Sequence, residues 1–169
     1  NKEVQRWKPP DQATLKINVD GSFQEDSHQG GTGLGVRDHE EKLIRAQAIW
    51  YENGLSAMSM EAYAIRDGAQ LAFDLGYRKV HMETDAQIVV KLWDSPKNDR
   101  SEIATIIKEI QELCGNFEEF RLSFISREAN ELAHLCAKQC NSPRRRCIWI
   151  NYVPTFLTAC VMKDCNPAG

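Results

Sequence analysis

Apolar residues change their spacing once along this chain, near Ala57, and that change limits the folds open to it. Before it, three short runs carry strand-like patterning: Leu15 to Val19, a glycine-rich run around Leu34 and Val36, and Leu43 to Tyr51. Polar or glycine-bearing turns such as Asp38-His39-Glu40-Glu41 join them, which predicts an antiparallel meander. After it, Met58, Ala62, Ile65, Ala69 and Ala72 recur at helical spacing up to the stop signal Gly76, which predicts a helix over residues 57–75. A fourth strand at Lys79–Thr84, a short helix near Ala86–Trp93 broken by Asp94-Ser95-Pro96, and an amphipathic helix marked by Ile103, Ile106, Ile107, Ile110 and Leu113 follow. A fifth strand at Phe120–Ile125 and a last helix at Glu128–Gln139 complete the pattern. Strands separated by helices need crossover connections and so pair in parallel. The expected architecture is α/β: a mixed five-stranded sheet, three antiparallel strands and then two parallel ones, flanked by helices.

The 169 residues fit one domain of ordinary core size. Residues 1–13 are polar around Pro9-Pro10 and read as a linker, 14–140 as the domain, and 141–169 as an aromatic tail that packs back or docks on a protein partner. Asn1 at the start points to a piece of a longer polypeptide. The net charge of −3 gives no overall pull on nucleic acid, so any such contact depends on local clusters such as Arg144-Arg145-Arg146. Six cysteines, all beyond residue 100 and spaced unlike paired CxxC motifs, read as thiols in a reducing, intracellular compartment. No apolar run approaches the roughly 20 residues that a membrane span needs, so a soluble chain with no membrane contact is expected.

Three acids stand out against this plan. Asp20 closes the first strand and Asp85 the fourth, while Glu61 lies on the apolar stripe of the first long helix. An unpaired charge is expensive on a face that should meet a sheet. Adjacent strands would deliver Asp20 and Asp85 to one edge, and the helix would bring Glu61 over it. Gathered carboxylates repel by about 1 kcal/mol per close pair in water and about 4 kcal/mol at an effective dielectric near 20. A hard divalent cation offsets that repulsion, and oxygen ligands select magnesium, manganese or calcium. Two such ions about 4 Å apart would serve in-line displacement at phosphorus. A shared-proton carboxylate pair, or acids that merely cap turns, satisfies the same spacing.

Lys16-Ile17-Asn18-Val19-Asp20-Gly21-Ser22, Gly33-Leu34-Gly35-Val36-Arg37-Asp38, Met60-Glu61-Ala62, Glu83-Thr84-Asp85 and Arg127-Glu128-Ala129-Asn130-Glu131-Leu132-Ala133-His134 together resemble the ribonuclease H family. The resemblance is closest to plant ribonuclease H-like domains, found alone or at the ends of retrotransposon polyproteins, and covers about residues 7–140. It implies the ribonuclease H-like fold and cleavage of the RNA strand of RNA–DNA hybrids, with Mg2+ as cofactor and Mn2+ as substitute. By position, Asp20, Glu61 and Asp85 match the metal-binding catalytic carboxylates. His134 stands where active members usually carry a fourth acid; the plant-type subgroup commonly has histidine there, and His134 counts here as a fourth catalytic candidate. Gly21, Ser22 and Arg127 are candidate substrate contacts, with the arginine triplet a further candidate for phosphate. The basic, Trp-rich insertion that some bacterial relatives carry has no counterpart between Trp93 and Ser101. Two other readings are an idle module of the same fold kept for protein or nucleic-acid binding, and a DNA-acting relative such as a transposase. Nuclear, organellar and cytosolic locations are all compatible with the sequence.

Overall fold

Six strands form a single mixed sheet in the order β5-β4-β1-β2-β3-β6. The computed structural model describes residues 3–95 and 102–166. The meander is β1 (Leu15–Gln24), β2 (Gln29–Arg37) and β3 (Leu43–Tyr51), paired antiparallel. Helix α1 (Ala57–Asp74) crosses to β4 (Lys79–Thr84), which pairs in parallel with β1. Helices α2 (Gln87–Asp94) and α3 (Ala104–Cys114) then lead to β5 (Glu119–Phe124), parallel to β4. A 3-10 turn, Arg127–Asn130, runs into α4 (Glu131–Ala137), so the last predicted helix is present in two pieces. The Pro96 break and the stretch to Ser101 lie outside the described residues. No described helix is long and apolar enough to cross a membrane.

The sheet has six strands, not five. β6 (Arg146–Ile150) pairs antiparallel with the outer edge of β3, and α5 (Thr158–Cys165) follows it. Without β6 the edge of β3 would present unpaired backbone groups. Cys147-Ile148-Trp149-Ile150 lacks a hairpin partner before it in sequence, so its strand character shows only once β3 is beside it. Residues 3–13, expected as a linker, carry no helix or strand, yet Trp7 is only 2 % exposed. Its ring lies 3.8 Å from the Arg37 guanidinium.

The alternation in β1 divides the molecule. Ile17 and Val19 join Leu34, Val36, Ile65, Ala69 and Met82 in the larger core under α1, where Gly68 lets the helix approach Val19 and Met82 closely. A Ser56–Ser59 capping box starts α1, which fixes where Glu61 falls, since each box satisfies two otherwise orphaned backbone donors. On the other face a smaller core joins Leu43, Ala46, Leu132, Cys136, Leu157 and Cys160. That face also buries Lys16, Asn18, Arg37 and Glu83. Arg37 donates to Asp164 of α5 at 2.7 Å and to Asn18 at 3.3 Å, tying the last helix to the sheet.

Removing one partner of a buried ion pair strands the other charge, at about 3–5 kcal/mol. Asp164→Ala is therefore expected to lower stability by about that amount. Urea unfolding followed by circular dichroism checks it as a fall in midpoint at an unchanged slope.

Candidate active site

Val19 of β1 and Thr84 of β4 are register partners in the parallel pair, so Asp20 and Asp85 follow them at one sheet edge. α1 delivers Glu61 to the same place because Gly21 has no side chain: a Cβ there would clash with the backbone of Met60 and crowd the Glu61 nitrogen. The Gly21 N–H also donates to Glu61 Oε2 at 3.2 Å. Carboxylate oxygens of Asp20, Glu61 and Asp85 come within 4.8 Å of one another, with Asp20 buried and the other two half-buried. This all-oxygen donor set fits a hard divalent cation.

The electrostatics show the strain of that arrangement. Burial first, then the charges of Asp20 and Asp85, pushes the Glu61 carboxyl up to about 9 against the pull of the Gly21 N–H. Asp20 is raised to about 6 by burial and by Asp85, restrained by hydrogen bonds from His134 and Glu61. Both shifts favour the protonated forms, Glu61 the more strongly, so near neutral pH the site without metal favours a proton on Glu61.

His134 reaches the site from the opposite layer. β2 presents a strip of glycines to α4: a Cβ at Gly33 would clash with Ala137 N and Ala133 O, and one at Gly35 with the Leu132 side chain. The helix therefore rests on bare backbone. His134 Nδ1 lies 3.0 Å from Asp20 Oδ2, and since an ionised carboxylate only accepts, Nδ1 carries the proton. Among the described residues His134 is not one of the close-set donor group; it holds one of that group's oxygens.

Gly21, Ser22 and Arg127 line one open cleft with the three carboxylates and His134. Ser22 Oγ donates to the Gly31 carbonyl at 3.4 Å, and Arg127 opens the 3-10 turn after β5. Beneath the cleft lies a polar layer that strand alternation does not reveal. Asn130 Nδ2 donates to the Val19 carbonyl at 2.9 Å, and its Oδ1 accepts from Asn18 at 3.1 Å. Asn18 donates also to Glu83 at 3.2 Å, and Lys16 lies 3.5 Å from Glu83. These polar strand residues look solvent-facing by pattern, but α4 and the Trp7 segment cover them.

Residues 18–140 match the model of the reverse transcriptase-like family. The chain belongs to that family. Searched against curated proteins, this reverse transcriptase-like domain finds no match. Among solved structures it is similar to RNase H1 from the halophilic archaeon Halobacterium salinarum NRC-1, at TM-score 0.69 and 16% identity over 75% of this chain and 96% of that one. It is also similar to the N-terminal RNase H domain of rv2228c from Mycobacterium tuberculosis, solved as a fusion with maltose binding protein, at TM-score 0.67 and 17% identity over 73% and 90%. A third is LC11-RNase H1 in complex with an RNA/DNA hybrid, at TM-score 0.67 and 14% identity over 75% and 95%. The fold of this reverse transcriptase-like domain is ribonuclease H-like, with β6 as an addition to the expected five strands.

Because folding raises both carboxyls above their unfolded values, the stability they contribute is full below about pH 4 and is lost as pH climbs through about 6 and then 9. One proton of difference corresponds to about 1.4 kcal/mol per pH unit, or on the order of 3 °C per kcal/mol in a chain this size. In EDTA, thermal unfolding of this domain is expected to fall from pH 5 to pH 9. Glu61→Gln should flatten that fall and melt higher than the parent at pH 8–9; an equally steep decline in the variant would contradict the assignment.

Proposed function

We propose that this domain is a metal-dependent endoribonuclease that hydrolyses the RNA strand of RNA–DNA hybrids. The observation that carries the reading is the convergence of Asp20, Glu61 and Asp85 in an open cleft, with oxygens within 4.8 Å. A purely structural cluster has no use for so much uncompensated repulsion. Asp20, Glu61 and Asp85 would hold Mg2+, with Mn2+ as substitute, because magnesium takes few carboxylates and leaves positions for substrate phosphate. Bound there as a pair, the ions would supply positive charge to the attacking and leaving oxygens of an in-line displacement.

The protein's own groups do the rest. His134 donates through Nδ1 to Asp20 and so fixes the carboxylate's orientation. Gly21 and Ser22 bring backbone and a hydroxyl to the cleft floor, where a 2′-hydroxyl is the feature that separates RNA from DNA. Arg127 supplies a guanidinium suited to phosphate. The hybrid-bound structure of the fold relative LC11-RNase H1 supports this substrate class. The motif pattern supports a plant, retrotransposon-type member, and six free thiols support an intracellular setting. A second reading, a binding module with an idle site, draws on the hydrogen bond that engages His134 with Asp20 in place of a fourth acid.

Incubation with a labelled RNA–DNA hybrid, and separately with each single strand, decides between them. We expect cleavage of the hybrid's RNA strand only, in Mg2+ or Mn2+ and not in EDTA. Asp20→Asn should reduce the rate about 10³-fold, as loss of several kcal/mol of charge stabilisation requires. A folded protein inert in both metals would favour the binding module.

A further inference from the structure

The sheet edge that carries the carboxylates continues beyond β2. Asp20 is the register partner of Gly33, Gly33 of Ala48, and Ala48 of Cys147, which makes one row across four strands. The next row outward is Gly21, Thr32, Ile49 and Arg146. Beyond that lie Ser22, Gly31 and Trp50, and the Trp50 N–H donates to the Arg145 carbonyl at 2.9 Å. Arg144, Arg145 and Arg146 therefore emerge at the same edge as Asp20, three strand spacings or about 14 Å away.

All three arginines are exposed. The Arg145 guanidinium lies 4.9 Å from the centre of the Trp50 ring, and its ion pair with Glu52 spans 3.9 Å between side chains each more than 60 % exposed. Exposed pairs of that kind contribute little; the half-buried carboxyl of Asp67 also feels the charge of Arg146. Lys138, also exposed, follows Ala137, whose carbonyl sits over Gly31. Four exposed cations, one of them over an aromatic ring, concentrate positive charge in this part of a chain of net charge −3. Guanidinium groups at and just before the start of β6 suit a row of phosphates, and an aromatic beside Arg145 suits a base or sugar face.

We propose that Arg144, Arg145 and Arg146, steadied by Trp50, form a second nucleic-acid contact that grips backbone phosphates about 14 Å from the carboxylates, the rise of about four base pairs. This strip holds the substrate from the β6 side, opposite α2. The proposal rests on the hybrid-binding reading above, and its test separates the two.

Binding of a fluorescein-labelled 16-base-pair RNA–DNA hybrid is measured by anisotropy in EDTA across a salt series. The parent is compared with the triple variant Arg144→Ala, Arg145→Ala, Arg146→Ala and with the corresponding triple lysine variant. We expect the alanine variant to bind at least tenfold more weakly, with the slope of log affinity against log salt reduced by about 2–3, since each phosphate contact contributes about 0.9. The lysine variant should restore most of the slope. An alanine variant with the parent's affinity and slope overturns the proposal, as does a parent that binds polyglutamate but no hybrid. Arginine-dependent binding without any cleavage in Mg2+ or Mn2+ sinks the nuclease reading alone and leaves this contact standing. Cleavage with arginine-independent binding does the reverse.

Discussion

Mutual repulsion of three carboxylates at one sheet edge is the constraint around which this molecule is arranged. Left to themselves, Asp20, Glu61 and Asp85 would spread apart, since each close pair opposes approach by up to about 4 kcal/mol at an effective dielectric near 20. They stay together because their positions are set by elements whose stability lies elsewhere. The parallel register of β1 and β4 fixes two of them. The third comes on a helix anchored by the large apolar core and by its capping box. The repulsion then appears as raised carboxyl affinities for protons at Glu61 and Asp20, which is also what makes the place attractive to a cation.

Glycine and buried polar groups do the fine positioning. Gly21 admits the backbone of α1, and the glycines of β2 admit α4, which sets His134 on Asp20. Beneath them a connected layer runs from Asp164 through Arg37 and Asn18 to Asn130, the residue that leads into α4. A hydrogen-bonded layer of this kind is costly if any member is left unpaired, and it links the chain's two ends to the site: Trp7 covers Arg37 from one side and α5 meets it from the other.

Much of this was legible beforehand. The period change at Ala57 separates meander from crossover units, and the break in the apolar stripe at Glu61 singles that residue out, because both signals are local. β6 was not legible, since its pairing partner β3 lies about a hundred residues earlier and no hairpin turn announces it. Lys16, Asn18 and Glu83 were hidden for a related reason: alternation tells which residues share a face but not whether the face is covered. Trp7 was lost in a polar stretch whose order depends on Arg37. The chemistry of His134 was readable only as a departure from a family pattern; that it hydrogen-bonds Asp20 required the glycine floor of β2.

The most direct measurement is of the ion itself. Calorimetric titration of the metal-free domain with Mg2+ and Mn2+ at pH 7, repeated in buffers of different ionisation enthalpy, counts the protons displaced on binding. A cluster that keeps a proton on Glu61 in the absence of metal predicts saturable binding with release of about one proton, both abolished in Asp85→Asn/Glu61→Gln. Absence of heat at millimolar metal, or binding that displaces no proton and survives the double substitution, would contradict the account.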